Sequence, residues 1–66
     1  MQLYRILKRY GGCDWEVVRR NRDADFVRNF ISVMVTPGGV HNLDSLVGYY
    51  YNVDGRKISF KAEPEN

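Results

Sequence analysis

Apolar and polar residues alternate on both sides of Asp54-Gly55, the strongest turn signal in the chain. A two-residue hairpin turn needs positive φ at both central positions, and Asp-Gly dipeptides tolerate this. We therefore predict an antiparallel hairpin in which Val53 pairs with Arg56. The residues expected on its core face are Val47, Tyr49, Tyr51, Ile58, Phe60 and Ala62. The same register places Tyr50 on the opposite, polar face.

The N-terminal segment predicts a second hairpin, which turns at Gly11-Gly12. One face of it carries Tyr4, Ile6, Lys8, Tyr10, Trp15, Val17 and Arg19. The other carries Leu3, Arg5, Leu7, Arg9, Asp14, Glu16, Val18 and Arg20. We expect the first face to be core because it has more aromatic mass, which leaves Leu3 and Leu7 exposed. A slip of one residue would exchange the two faces, and the sequence leaves that alternative open.

The middle of the chain predicts a helix over residues 24–35. Apolar residues recur there at helical spacing: Phe26, Val27, Phe30, Ile31, Met34 and Val35. Asp23 suits the N-cap, and Pro37 with the glycines after it ends the pattern. Seven of the eleven residues 26–36 are β-branched or aromatic, which favours a strand instead. The helix is preferred because the periodicity extends over the whole segment, and a strand is the alternative.

A chain of 66 residues forms one small domain. We predict an α+β fold with a four-stranded antiparallel sheet and one helix, in the order ββαββ, over residues 1–62. Residues 40–46 form a loop or a short helical turn capped by Asn42, and residues 63–66 form a polar tail. The alternative is an all-β, five-stranded SH3-like or OB-like barrel, in which residues 26–36 are the third strand and fewer sheet edges are exposed.

The positive charge is concentrated near the N-terminus. The net charge is +2, too small to imply a nucleic-acid partner by itself. Residues 1–22 contain six basic and two acidic residues, whereas residues 23–66 contain four basic and six acidic ones. The densest run is Arg19-Arg20-Asn21-Arg22, and arginine suits both carboxylates and phosphates.

Cysteine and hydropathy indicate the compartment. Cys13 is the one cysteine, so the chain forms no internal disulfide, which fits a reducing environment. No apolar run approaches the roughly 20 residues of a membrane span, and the N-terminus lacks the continuous apolar stretch of a signal peptide. We therefore expect a cytoplasmic protein that does not bind membranes.

Little catalytic chemistry is indicated. Cys13 and His41 are the only thiol and imidazole groups, fewer than a structural zinc site needs, so we expect neither a metal nor another cofactor. A small ribonuclease is the third hypothesis, with His41 and Asp44 as the acid–base pair and an arginine on the phosphate. We expect a protein that is not an enzyme.

The main hypothesis is a binding domain that docks on a larger protein or complex as a regulator or inhibitor. In size and scarcity of motifs the chain is similar to small phage or plasmid proteins that act in this way. The expected partner-binding residues are Arg5, Arg9, Arg19, Arg20 and Arg22 as charge contacts and Tyr50 as an aromatic anchor. A homodimer would bury Leu3 and Leu7.

The alternative is a nucleic-acid-binding module in which basic residues contact phosphates and an exposed aromatic ring stacks on a base. Its expected residues are Lys8, Arg19, Arg20, Tyr50, Lys57 and Lys61.

Overall fold

The structure is a computed structural model that describes residues 1–65. Its elements are β1 (Leu3–Tyr10), β2 (Glu16–Arg22), α1 (Ala24–Val35), β3 (Val40–Asn42), β4 (Val47–Tyr51) and β5 (Lys57–Glu65). The five strands form one antiparallel sheet in the order β2-β1-β5-β4-β3. The helix packs across one face, and β2 and β3 remain as open edges. The predicted helix and antiparallel sheet are confirmed, whereas the closed barrel is wrong and the strand number is five rather than four.

The helix forms where the periodicity predicts it. The carboxylate of Asp23 caps its start by accepting a 2.8 Å hydrogen bond from the backbone N–H of Phe26. Beyond its last residue, the hydroxyl of Thr36 donates to the carbonyl oxygen of Ser32. One stripe of the helix is buried and forms the core together with the sheet. The core consists of Ile6, Val27, Ile31, Val35, Ile58 and Phe60.

The added strand is β3, in the segment predicted as a loop or helical turn. Its backbone pairs with β4, and His41 lies opposite Gly48. The predicted cap is present, but it closes the turn after β3. The side-chain oxygen of Asn42 accepts hydrogen bonds from the backbone N–H groups of Asp44 and Ser45.

The hairpin of β4 and β5 has a different register from the predicted one. The pairs are Tyr51 with Lys57 and Tyr50 with Ile58, so residues 52–56 form a five-residue loop. Asn52 explains this loop, because its side-chain oxygen accepts from two backbone N–H groups inside it. The shift exchanges the two faces of β4 only, so Tyr49 and Tyr51 lie on the sheet face away from the helix. On β5 the predicted core face is confirmed, since Ile58 and Phe60 are buried and Ala62 packs against the core.

The first hairpin keeps the predicted core face on β1 but not on β2. Ile6 is fully buried under the helix, as expected. The register of β1 and β2 shifts on either side of Ile6, which indicates a β-bulge that turns Val18 and Arg19 toward the helix side. The core therefore gains Val18 rather than Val17. The expected exposure of Leu7 is wrong, since it is buried beside Val17 on the opposite face.

The predicted tail is also wrong over the residues that the structure describes. Residues 63–65 continue β5 and pair with residues 3–5 of β1. The carboxylate of Glu65 accepts hydrogen bonds from the Arg20 side chain at 2.8 Å and from the backbone N–H of Asn21 at 2.7 Å. The end of β5 therefore holds the edge strand β2. Residue 66 of that tail lies outside the described residues.

Candidate interaction surfaces

The helix has two neighbouring apolar stripes, and the sheet covers only one of them. The second, which we call the outer stripe, consists of Phe26, Phe30, Val33 and Met34. Val33 is 64% exposed and Met34 is 39% exposed, while Phe30 is half-buried. These side chains and Asn29 line a shallow groove of about 190 Å³. A contiguous apolar patch on a small soluble domain is typical of an interaction site.

Two arginines of β2 border the outer stripe. The guanidinium carbon of Arg22 lies 4.7 Å from the ring centroid of Phe26, and that of Arg19 lies 5.3 Å from the ring centroid of Phe30. The two rings stack on each other with centroids 6.1 Å apart. Neither arginine forms an ion pair within residues 1–65. The outer stripe therefore has two uncompensated positive charges beside it.

The other three predicted arginines lie elsewhere, so the five do not form one patch. Arg5 lies on the face away from the helix, 2.9 Å from the Glu63 carboxylate. Arg20 is bound by Glu65 at the sheet edge. Arg9 lies with its guanidinium carbon 5.5 Å from the ring centroid of Trp15.

Glu63 lies between two cations on the sheet face away from the helix. Its carboxylate accepts from Arg5 and lies 3.4 Å from the ammonium of Lys61. These two hydrogen bonds, that of Arg5 first, lower the pKa of Glu63 below its ordinary value because they stabilise the carboxylate. Arg5 is thus held in an ion pair within the chain, and Lys61 shares the same carboxylate.

The sheet face away from the helix, which we call the open face, carries aromatic rings with cations above them. Lys61 places its ammonium 4.4 Å from the ring centroid of Trp15, and Lys57 places its own 4.3 Å from that of Tyr49. Tyr51 meets Tyr49 edge-on with centroids 5.9 Å apart. Between Trp15 and Tyr49 lies a groove of about 240 Å³, here called the aromatic groove. Its lining residues are Trp15, Val47, Gly48, Tyr49, Lys57, Ser59, Phe60 and Lys61.

Two predicted site residues point to the helix side of the sheet instead. Tyr50 is half-buried and stacks on Phe60 with ring centroids 6.4 Å apart, so its expected place on the polar face is wrong. The shifted register of β4 and β5 is the cause. Lys8 pairs in register with Glu16 and Phe60, away from Lys57 and Lys61.

The residues considered for catalysis are not brought together. Cys13 is exposed in the loop between β1 and β2, whereas His41 is exposed on the edge strand β3. Two further strands, β4 and β5, separate β3 from β1. Asp44 lies in the turn after β3. Among residues 1–65, no group of three or more His, Cys, Asp or Glu residues is arranged to hold a metal ion.

Sequence reasoning missed the outer stripe and the aromatic groove as sites. The helical pattern indicated the outer stripe, since residues 26/30/34 and 27/31/35 form two adjacent apolar rows. One face of a sheet buries only one of these rows. The aromatic groove had no comparable sign. It depends on the loop that carries Trp15 and on the register of Tyr49, and both are set by tertiary structure.

Comparisons with models of known protein families, with curated proteins and with solved structures found no match. Within residues 1–65, no helix has the length and apolar character needed to cross a bilayer. The fold and its surfaces define a small α+β domain with one helix on an open antiparallel sheet. The function is therefore inferred from the surfaces of the chain itself.

Proposed function

We propose that this protein is a non-enzymatic binding domain that docks on another protein through the outer stripe, as a regulator or inhibitor does. The observation that carries the proposal is the pairing of exposed apolar side chains with Arg19 and Arg22, whose charges no carboxylate within residues 1–65 neutralises. Aromatic and arginine side chains are the types most enriched where binding energy is concentrated.

The charge of this surface supports an acidic partner segment with apolar side chains of its own. Such a segment would place carboxylates on Arg19 and Arg22 and apolar groups in the groove beside Val33 and Met34. A second copy of this chain is the weaker occupant. A two-fold interface through the outer stripe would gather four arginines, two from each copy, and this excess of like charge disfavours binding.

The proposal assigns the protein to the cytoplasm, because its one cysteine, Cys13, forms no internal disulfide and fits a reducing compartment. It needs no cofactor. Binding alone would exert the effect on the partner, by occupying a surface that the partner uses for something else.

The test is affinity capture from nuclease-treated lysate with four forms of the tagged protein. The variants are Val33→Asp, which puts a carboxylate in the outer stripe, the double substitution Arg19→Glu/Arg22→Glu, and Lys57→Glu as a charge reversal on the open face. We expect one protein to be retained by the wild type and by Lys57→Glu but lost by the other two. The captured protein is then purified, and its affinity for each form is measured directly.

Each outcome bears on the proposal. Loss of an anchor at the centre of an interface costs about 2 kcal/mol or more, a factor of roughly 30 in affinity. Equal retention by Val33→Asp and wild type would exclude the outer stripe. Loss in Lys57→Glu alone would move the protein-binding site to the open face.

A further inference from the structure

The open face carries positive charge that its own carboxylates do not balance. Its charged groups near the aromatic groove are Arg5, Arg9, Lys57, Lys61 and Glu63, a net charge of +3. Glu63 is shared between Arg5 and Lys61, whereas Arg9 and Lys57 form no ion pair within residues 1–65. The eight residues that line the groove include two lysines and no acidic residue. This part of the surface therefore favours an anion.

The same surface also presents aromatic rings, which a site that binds phosphate alone does not need. Trp15 and Tyr49 both line the groove, and Tyr51 continues the row on β4 with 62% of its surface exposed. Tyr49 lies directly across from Ser59, which also lines the groove and has a small side chain. Flat rings beside cations suit a ligand that is itself both aromatic and anionic.

From this juxtaposition, the geometry points to the open face as a binding site for single-stranded nucleic acid. An unpaired base stacks on the exposed ring of Tyr51. Lys57 and Lys61, whose ammonium groups lie over the rings of Tyr49 and Trp15, turn from those rings to the phosphates, which opens the rings to further bases, and Arg9 makes a third phosphate contact. Open antiparallel sheets that present aromatic side chains on neighbouring strands bind single strands in this manner. A duplex offers no free base faces to these rings. The site is separate from the outer stripe, which lies on the other side of the sheet.

The chain contains its own reporter for this site. Trp15 is the one tryptophan, so its fluorescence reports on the groove without a label. The experiment titrates the full chain with a twelve-nucleotide oligothymidylate and follows Trp15 emission at several salt concentrations. The same strand annealed to its complement, and polyglutamate as an anionic chain without bases, are titrated in parallel.

We expect saturable quenching by the single strand. Three phosphate contacts predict a slope of about −2 for the logarithm of the binding constant against the logarithm of the salt concentration, since each contributes about −0.7. Affinity then falls roughly 16-fold between 50 and 200 mM salt. The duplex and polyglutamate should bind far more weakly.

Two substitutions at exposed positions test base stacking and phosphate contact separately. Tyr51→Ala should weaken binding at least about five-fold with the salt slope unchanged, because it removes stacking. Lys57→Ala should weaken binding and reduce the magnitude of the slope by about 0.7, because it removes one phosphate contact. Arg28→Ala, on the outside of the helix, removes the same charge and should leave both quantities unchanged. Circular dichroism confirms that each variant is folded.

Several results would overturn the proposal. Absence of saturable quenching would do so, as would equal binding of the duplex. Polyglutamate that binds as tightly as the oligonucleotide would show that the rings do not contact bases, and would indicate an acidic protein as the ligand. An effect of Arg28→Ala equal to that of Lys57→Ala would show that only net charge matters. None of these results bears on the outer stripe, whose variants lie elsewhere.

Discussion

Gly48 lies directly under Ile31, so close that a β-carbon at position 48 would come within 2.7 Å of the Cγ2 atom of Ile31. Ordinary contacts of β-carbons lie at 3.4–4 Å, and contacts shorter than 3.0 Å essentially never occur. The helix therefore rests on the backbone of β4 at this point. The outer stripe depends on this contact, because it fixes which stripe of α1 meets the sheet and which stripe remains outside.

Substitution of Gly48 should destabilise the fold. Gly48→Ala would force Ile31 away from the sheet, and we expect the free energy of unfolding to fall by about 1 to 3 kcal/mol. Urea denaturation followed by circular dichroism measures it. Gly12→Ala is the control, since a β-carbon there meets nothing within 4 Å. Equal stability of the two variants would mean that the helix can shift without cost.

The cap of the helix is a second local determinant. Asp23→Ala removes the acceptor for the N–H of Phe26, and we expect a loss of about 1 kcal/mol in the free energy of unfolding. Asp23→Asn keeps an acceptor oxygen and should retain most of the stability. The midpoints of urea denaturation compare the stabilities of the two variants. An asparagine variant as unstable as the alanine variant would show that the charge of Asp23, rather than its hydrogen bond, stabilises the helix.

Asn52 should determine the register of the β4–β5 hairpin. Its side chain accepts from the N–H groups of Asp54 and Arg56 and donates to the hydroxyl of Tyr10. Asn52→Ala leaves these groups to water, and we expect a loss of about 1 to 2 kcal/mol, because each hydrogen bond contributes about 1 kcal/mol. Asn52→Asp keeps the acceptors and should be less affected. Denaturation midpoints compare the two, and no loss in the alanine variant would contradict the role of Asn52.

The same residue explains why the sequence predicted the hairpin but not its register. Asp54-Gly55 alone favours a two-residue turn, and nothing in the alternation of residues shows that Asn52 binds the backbone two and four residues later. A shift of one residue exchanges the faces of a strand. Tyr50 therefore moved into the core, and Tyr49 and Tyr51 moved to the open face. The helix was predictable because its signals, Asp23 and the periodicity, are local.

The candidate sites were predictable only in part. Arginines in the run at residues 19–22 were expected to bind a partner, but the sequence could not show that a β-bulge turns Arg19 toward the helix side while Glu65 binds Arg20. Side-chain direction around a bulge depends on the partner strand. The partners of Arg5 and Arg20 come from β5, more than 40 residues away.

The ion pairs of Glu63 should make stability depend on pH. The pKa of Glu63 is lowered in the folded chain, chiefly by Arg5 and then by Lys61. A lowered pKa stabilises the fold above the pKa of the unfolded chain, and this contribution is lost as the pH falls through the folded value. We expect wild type to be more stable than Glu63→Gln at pH 7 and the difference to shrink as the pH falls below 4.5, the ordinary pKa of this carboxyl.

Unfolding midpoints of both forms between pH 7 and pH 2 measure that difference. Asp54→Asn, at an exposed turn position, serves as the comparison for a carboxylate outside the ion pairs. A difference between wild type and Glu63→Gln that stayed constant with pH would show that the two cations do not act through the charge of Glu63.

Residues 63–65 should be needed for stability, although their composition is that of a polar tail. The strand β5 continues through Glu65, and its last residues pair with Leu3–Arg5. A chain truncated after Ala62 would lose these backbone hydrogen bonds and the carboxylate that holds Arg20 and Asn21. We expect the free energy of unfolding to fall by about 2 kcal/mol or more, because several hydrogen bonds of about 1 kcal/mol each are removed.

Glu65→Ala separates the contributions, since it keeps the strand and removes only the contact to β2. Urea denaturation should place it between the wild type and the truncated chain. An unchanged midpoint in the truncated chain would show that β1 needs no partner beyond residue 62.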